Sequence, residues 1–566
     1  MVRGLEVDSR LGDVAKMRAF HDCRKRGPGK DVAEPRTGAI DDPRPIVPRT
    51  ASRDWRNPTD RVTVFWSVSR APEPRTLMND DDAHRRKNRR DSGVEDHATA
   101  ALTALNRRDF LKAGALGVAA GATAGCTEPG AEAATTGAQA RASATAATPQ
   151  GLPTPPAQPL AAPPLDPVRI GFVGVGGMGT AHVRNLVRID GCVVTAVCDI
   201  RAEHAERAAA LIEEAGHPRP ALYTRGERDF ERLCAEEDLD LVYTATPWRW
   251  HVPVCVAAME NGKHAATEVP AAYTLDDCWR LVETAERTAR HCVMMENVNY
   301  GRAELLCLNL VRQGLLGEIL HAECGYLHDL REIKFADEGE GLWRRAHSWT
   351  RNGNLYPTHG LGPVANCMDI NRGDRFASLV SMSSPSRGLQ EWAAIHYGTG
   401  HPKRAETFAL GDVNASLIQT AMGRTIYVAH DTNLPRPYDR INKVQGTRGI
   451  FQGYPDRVYI EGRSESHRWD EAEAWYGEFE HPLWSALREA SIGAGHGGMD
   501  FMEDYRLIEC LRRGEPTDMN VYDAAALSAV CELSEISVAQ GSAPVPFPDF
   551  TRGKWMDWEP WPIVTA

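Results

Sequence analysis

From Val168 to Asn185 the chain reads "VRIGFVGVGGMGTAHVRN", an apolar strand that runs straight into spaced glycines and a helix. Few folds accept that order. Gly174, Gly176 and Gly179 form G-x-G-x-x-G. The first glycine permits a tight turn, the second lets the backbone approach a pyrophosphate, and the third lets the helix pack close, so that its N-terminal amides meet the phosphate charge. Asp199 closes the next apolar run, "CVVTAVCDI", about 20 residues further on, where a carboxylate can bind ribose hydroxyls. Its charge disfavours a 2′-phosphate, so the expected cofactor is NAD rather than NADP. Arg201, close by, is a residue type that can accommodate such a phosphate.

Strands and helices keep alternating. The helix "AEHAERAAALIEEA" is followed by the strand "LDLVYTATP", and "KHAATEVP" and "HCVMMENV" are two more strands flanking the helix "TLDDCWRLVETAERTAR". The alternation predicts the α/β class, with a parallel sheet covered by helices on both faces: an N-terminal Rossmann dinucleotide-binding domain over residues 167–299. After about Tyr300 the segments lengthen and carry Trp, Tyr and Gly. Residues 300–566 are expected to form an α+β domain with a large, mostly antiparallel sheet, C-terminal helices and a tail. In that tail "WMDWEPWP", Trp555 to Pro562, either covers a cleft or packs the C-terminus.

Before the fold, residues 1–105 are rich in Arg, Asp and Pro without a sustained apolar period, which predicts disorder or an over-long N-terminal extension, with Met78 as the expected start. "NRRDFLKAGALGVAAGATAGC", residues 106–126, resembles a twin-arginine signal, with Arg107 and Arg108 before a weakly apolar run. That run is too short and glycine-rich to span a membrane, and no transmembrane domain is expected. Cys126 is a possible lipid-attachment residue, although Thr123 stands where a lipobox usually has Leu. Residues 127–166, dominated by Ala, Thr and Pro, read as a flexible linker. The expected location is therefore extracellular or cell-envelope, with the twin-arginine translocase as a partner during export.

A net charge of -12 argues against nucleic acid and anionic membranes as partners. The 13 cysteines include no CxxC pair, and Cys192, Cys198, Cys234, Cys255, Cys292 and Cys324 sit in apolar periodic segments that predict buried thiols. His321, Glu323, His328 and Asp329 offer possible metal ligands, but strand alternation explains them and no metal site is expected. No G-x-S-x-G nucleophile signature is present.

"TATPWRWHVPVCVAAMENGKHAATEVP" resembles the glucose-fructose oxidoreductase, inositol dehydrogenase and rhizopine-catabolism superfamily, in which Thr-Pro-x-x-x-His and Glu-Lys-Pro stretches flank the nicotinamide. Here the second stretch is Glu268-Val269-Pro270, and Val269 cannot carry the proton that lysine supports in the dehydrogenases. "MMENVNYG", "GYLHDLR", "LWRRAHSWTRNGNLYPTHGLGPVANCMDINRGD", "PRPYDRINKVQGTRG" and "HGGMDF" together resemble glycoside hydrolase family 109, the NAD-dependent α-N-acetylgalactosaminidases, from about Val168 to Lys554. Glu-Val-Pro is typical of that family.

The resemblance implies cofactor contacts at Met178, Gly179, Asp199, Trp248, His251, Glu268, Val269 and Asn297, and sugar contacts at Tyr326, Arg345, Tyr356, His359 and Tyr438. His359 would be the base for the sugar C3 hydroxyl, and Tyr326, as a phenolate, would take the C2 proton. The glycines and proline of "NLYPTHGLGP" predict irregular backbone around His359. The implied substrate is a small glycoside or terminal glycan, and the implied reaction is redox-neutral: oxidation at C3, elimination of the C1 substituent, water addition and reduction. Such a reaction leaves the cofactor as it began, which suits an enzyme outside the cytoplasm. Two alternatives stay open, an exported sugar oxidoreductase and a noncatalytic NAD-dependent sugar-binding protein. A homo-oligomer is possible by analogy with the superfamily.

Overall fold

The computed structural model describes residues 148–562. The extension, the twin-arginine segment with Cys126 and most of the linker lie outside the described residues.

The first sheet has six parallel strands, β1 (Val168–Val173), β2 (Cys192–Cys198), β3 (Ala221–Tyr223), β4 (Leu241–Thr244), β5 (His264–Thr267) and β6 (Cys292–Met294), in the order β3-β2-β1-β4-β5-β6. β4, β5 and β6 are buried throughout, which is why none of them shows the alternation of a half-exposed strand. The strand order reverses between β1 and β4, and this opens a crevice at the C-terminal ends of the strands. Three elements escape the sequence pattern: β3, three residues just after Pro218 and Pro220, and the helices Asp229–Glu236 and His251–Glu260.

The second sheet has nine strands: β7 (Ile319–Leu327), β8 (Phe376–Ser383), β9 (Val413–Thr420), β10 (Thr425–Asp431), β11 (Lys443–Gly446), β12 (Gly449–Gln452), β13 (Arg457–Ile460), β14 (Asp470–Glu471) and β15 (Val545–Pro546). Their order is β14-β13-β12-β11-β7-β10-β9-β8-β15, and only β7 with β10 is parallel. β9 alternates buried and accessible residues, as a strand with one covered face does. Helices Thr358–Cys367 and Val521–Ala539 lie on the covered face. On the other face Met382 and Leu417 are exposed.

The C-terminal helices tie the second half of the chain back to the first. Met499–Arg513 lies along the helix Gly177–Leu186, and Val521–Ala539 lies between the helix Leu275–Thr288 and β8. The latter helix starts at a capping box of Asn520 and Asp523 and is buried nearly all round, as its place between two layers requires.

The tryptophan-rich tail packs the C-terminus. Trp558 Nε1 donates to the Ala157 carbonyl (3.1 Å), and Arg312 Nε donates to the Trp561 carbonyl (2.7 Å). The end of the Ala/Thr/Pro stretch is held by the same contacts: Leu152 and Leu165 pack on the core, and Leu165 N donates to the Leu511 carbonyl. The eleven described cysteines are buried and free, the six in apolar periodic segments among them. No helix among the described residues is long and apolar enough to cross a membrane.

Candidate functional site

The crevice is built first by β1 and the helix Gly177–Leu186, which starts at its N-cap Gly176. Gly174 has φ 84°, and a Cβ on Gly179 would lie 1.9 Å from the Gly174 carbonyl oxygen, so neither position admits a side chain. Gly176 faces open space, with its backbone free to approach a phosphate. Met178, on the first helical turn, is partly exposed. At the end of β2, Asp199 Oδ2 accepts from Val175 N and Oδ1 from Arg201 N, each at 2.9 Å. The carboxylate is thus fixed where a ribose is expected. An open glycine turn, a helix N-terminus and a fixed carboxylate fit a dinucleotide, whose second half would be held by residues at the ends of β4, β5 and β6.

Those ends carry Trp248, His251, Glu268, Val269 and Asn297. His251 is turned to the protein: Nδ1 lies 2.8 Å from the Pro270 carbonyl and Nε2 2.8 Å from the Thr246 carbonyl. It joins the loops after β4 and β5 instead of presenting a ring nitrogen to a ligand. Val269 is buried. Glu268 Oε1 lies 2.8 Å from His182 Nε2, and Oε2 accepts from Val269 N. His182 Nδ1 lies 2.9 Å from both oxygens of Asp504, which also accepts from Asn185 Nδ2. Burial opposes a charge on His182, but Asp504 and Glu268 hold it protonated well above the usual histidine range. Burial likewise opposes the charge of Glu268, and His182 keeps its pKa below the usual value. The result is a fixed carboxylate facing the nicotinamide half of the crevice.

Across the crevice, the second domain supplies a run of rings. Trp248 stacks on Tyr356 (5.7 Å, 21°), Tyr356 meets Tyr326 at 4.6 Å and His359 at 4.9 Å, and Tyr326 meets Tyr438 at 6.0 Å. Tyr326 is at the end of β7. His359 is in the first turn of the helix Thr358–Cys367, a correction to the irregular backbone expected there. The glycines of that helix serve close approach: a Cβ on Gly360 would lie 2.4 Å from Gly325 N, and one on Gly362 would lie 2.9 Å from Glu296 Cγ. Pro363 lacks the N–H that would otherwise bond the His359 carbonyl.

This packing sets His359 Nδ1 2.7 Å from Glu296 Oε1. The Glu296 side chain is fully buried after β6, and His359 Nε2 has no hydrogen-bond partner among the described residues. The surroundings of Tyr326 run against the phenolate expected there. Burial pushes its hydroxyl far above the usual tyrosine value, and that hydroxyl lies 3.0 Å from His328 Nδ1. His328 is kept neutral by burial and by the Arg344 charge.

Arg345 does not join the group. Its guanidinium donates to the Lys334 carbonyl (2.7 Å) and pairs with Glu406 (2.9 Å). Its neighbour Arg344 lies among the rings instead, paired with Glu340 at 2.7 Å and 5.0 Å from the Tyr356 ring centroid and 5.1 Å from that of Trp248. Tyr438 is oriented by Arg440 Nη1 (3.0 Å), itself paired with Glu304 (2.6 Å). Glu296, Arg344 and His182 were missed in the sequence, and His328, read there as a possible metal ligand, lies instead beside the Tyr326 hydroxyl. Only the adjacent motif residues Asn297 and Arg345 mark Glu296 and Arg344. On the second sheet His321 Nδ1 lies 2.9 Å from Thr425 Oγ1 and its Nε2 3.5 Å from Glu323 Oε1, which also pairs with Lys443 (2.8 Å).

Comparison with known proteins gives the following matches. Residues 168–296 match a family described as "Oxidoreductase family, NAD-binding Rossmann fold", which makes NAD the cofactor of the crevice. Residues 300–557 match "Glycosyl hydrolase 109, C-terminal domain". A "Glycosyl hydrolase family 109 protein" of Shewanella sp. (strain W3-18-1) is 49% identical over 414 residues, 72% of this chain and 90% of that protein. One of Shewanella pealeana is 48% identical over 410 residues, with the same coverage. Among solved structures, a levoglucosan dehydrogenase in complex with NADH and L-sorbose superposes with a TM-score of 0.53 at 19% identity, over 68% of this chain and 100% of its own. An NAD binding oxidoreductase from Klebsiella pneumoniae gives 0.52 at 18% identity, over 67% and 98%. At such identities these two share the fold.

Proposed function

Because the chain belongs to glycosyl hydrolase family 109, we propose that it hydrolyses terminal α-N-acetylgalactosaminides by an NAD-dependent, redox-neutral route. The observation that carries the proposal is a histidine–carboxylate pair, His359 with Glu296, set beside a cofactor crevice in which valine replaces the dehydrogenase lysine. NAD, when bound, supplies a reversible hydride acceptor for C3 of the sugar. Gly176, the Asp199 carboxylate, Glu268 and Asn297 hold it.

The protein's own part is placement and proton transfer. With Nδ1 given to Glu296, His359 takes the C3 hydroxyl proton at Nε2, and the buried carboxylate stabilises the imidazolium that forms. A ketone at C3 acidifies the C2 proton, whose loss expels the C1 substituent. That proton passes to the Tyr326–His328 pair: the neutral His328 accepts from the tyrosine hydroxyl as the hydroxyl oxygen takes the proton from carbon. Water then adds its hydroxyl at C1 while the Tyr326–His328 pair returns a proton to C2; the remaining proton of the water balances the one taken up by the departing C1 oxygen, and His359 returns its proton to the C3 oxygen as C3 is reduced. Arg344, Tyr356 and Tyr438 orient the sugar, while Trp248 and Trp343 screen the crevice from solvent.

The test is incubation of the purified protein with chromogenic α- and β-N-acetylgalactosaminides. Release of the aglycone from the α-anomer without net NADH is expected, with solvent deuterium at C2 of the product. Stoichiometric NADH with an oxidised sugar and no aglycone would make the protein a sugar oxidoreductase instead.

We further propose export by the twin-arginine route, supported by Arg107 and Arg108 ahead of a weakly apolar run, with Cys126 as a lipid anchor. Two copies pair through the open face of the second sheet, supported by the exposed Met382 and Leu417 and the partly exposed Tyr427 on adjacent strands. Loss of export in the Arg107→Lys, Arg108→Lys double variant tests the first of these.

A further inference from the structure

The "GHGGMDF" segment, Gly495 to Phe501, takes no part in the proton transfers, yet it stands against the end of β6. His496 (φ 48°), Gly497 (φ 72°) and Gly498 (φ 104°) are consecutive left-handed residues leading into the helix Met499–Arg513. That conformation is uncommon outside glycine, although histidine enters it more readily than most residues, and the turn has close surroundings. Here they bring Asp500 beneath its ring: Nδ1 lies 3.0 and 2.9 Å from the two carboxylate oxygens. A Cβ on Gly495 would lie 2.1 Å from Asp500 Oδ2, so glycine there is what leaves room for the carboxylate.

Asn297, which follows β6, donates from Nδ2 to Asp500 Oδ1 at 2.7 Å and lies 3.3 Å from His496 Nδ1. Two groups are left over. Asn297 is buried and its Oδ1 has no partner, and the half-exposed His496 ring has no hydrogen-bond partner at Nε2 among the described residues. An unpartnered buried amide oxygen is costly unless a ligand or water meets it.

We propose that His496 is a further cofactor-holding residue: with Nδ1 fixed by Asp500, it presents Nε2 on the same wall as Asn297 Oδ1, a donor and an acceptor matched to the primary carboxamide of nicotinamide. The proposal rests on NAD binding in this crevice. Donation from Nε2 requires the imidazolium, since Nδ1 keeps its hydrogen for the carboxylate. The hydrogen bond to Asp500 raises the His496 pKa against partial burial, Glu268 adds to the rise and His182 opposes it. The donor is therefore present below the ordinary histidine value and is lost as pH rises through the raised one.

The test is the affinity of cofactor-free protein for NAD+ and NADH, measured by calorimetry in the wild type and in His496→Gln, His496→Ala and Asp199→Ala. The alanine variant is expected to bind both about 10-fold more weakly, one lost charge-assisted hydrogen bond. It should lose affinity equally for the 3-acetylpyridine analogue, which keeps the carbonyl oxygen. Wild-type affinity should fall as pH rises through the raised His496 pKa, above the ordinary histidine value, and that of His496→Gln should stay flat. Unchanged affinity in both His496 variants while Asp199→Ala weakens binding would overturn the proposal. Unchanged affinity in Asp199→Ala as well would remove the cofactor site itself. Should the variants not fold, a flat wild-type pH profile overturns the proposal without them.

Discussion

Nδ1 of His359 lies 2.7 Å from Oε1 of Glu296, a carboxyl group from which solvent is fully excluded. The pairing fixes the tautomer, leaving Nε2 as the basic nitrogen. Glu296→Gln can present its amide to Nδ1 and reverse that tautomer, so kcat is expected to drop by about 100-fold or more. Bound NAD should be retained. The double variant with His359→Gln should be no slower than His359→Gln alone, because the two residues act as one unit. Aglycone release and the absorbance of bound cofactor check both points, and additive losses would show that the pair is not a unit.

Two adjacent arginines have different fates. Arg344 lies over Trp248 and Tyr356, whereas Arg345 pairs with Glu406 and the Lys334 carbonyl. Arg344→Met is expected to raise KM by roughly 10-fold or more, the value of one charge-assisted contact, and Arg345→Met to leave kcat/KM within about 3-fold. Steady-state kinetics of the two variants decide it. The reverse order would return the sugar contact to Arg345.

The same pair shows where legibility in the sequence stops. Helical neighbours are turned about 100° from one another, and nothing in "LWRRAHSWT" phases the short helix Arg344–Thr350, so the sequence cannot say which arginine looks inward. The first sheet was readable because buried parallel strands are continuous apolar runs and the cofactor turn has a fixed glycine spacing. β3 was not: an edge strand of three residues has no period to detect. Glu296 and His359 are 63 residues apart, and His182 and Asp504 are 322 apart. Motifs marked one end of each pair or its neighbourhood, but only the fold brings the ends together. In "THGLGP" the glycines suggested loop, and the structure uses them to let a helix approach β7 and Glu296.

Asp199 gives both oxygens to backbone amides and ends β2 as a fixed negative charge. Asp199→Ser removes the repulsion of a 2′-phosphate, while Arg201 remains nearby. The ratio of NADP to NAD affinity is expected to rise by about 10-fold or more, read by titration of cofactor-free protein. An unchanged ratio would place the discrimination elsewhere.

Leu417 projects from β9 on the open face of the second sheet, opposite Tyr427 of β10 and Val380 of β8. Leu417→Lys puts a charge in the middle of that apolar row and is expected to halve the particle mass seen by light scattering. It should leave the melting temperature nearly unchanged, since the side chain is exposed in the single chain. A wild-type protein that is already monomeric would end the pairing proposal.

His182 donates one ring nitrogen to Asp504 and the other to Glu268, joining the cofactor helix to the C-terminal helix Met499–Arg513. His182→Gln removes the buried cation and leaves two carboxylates facing each other, a change expected to cost about 3–5 kcal/mol in urea unfolding. The pH dependence has a definite sign. His182 is raised above its ordinary value of 6.5, so its contribution is complete below that value and is lost as pH rises through the folded-state pKa. Glu268 is lowered from 4.5, so its contribution is present above that value and is lost as pH falls through the folded-state pKa. The stability gap between wild type and His182→Gln is therefore widest between those limits and narrows on both sides. A gap that does not vary with pH would mean that His182 serves by packing alone, with no charge on its ring.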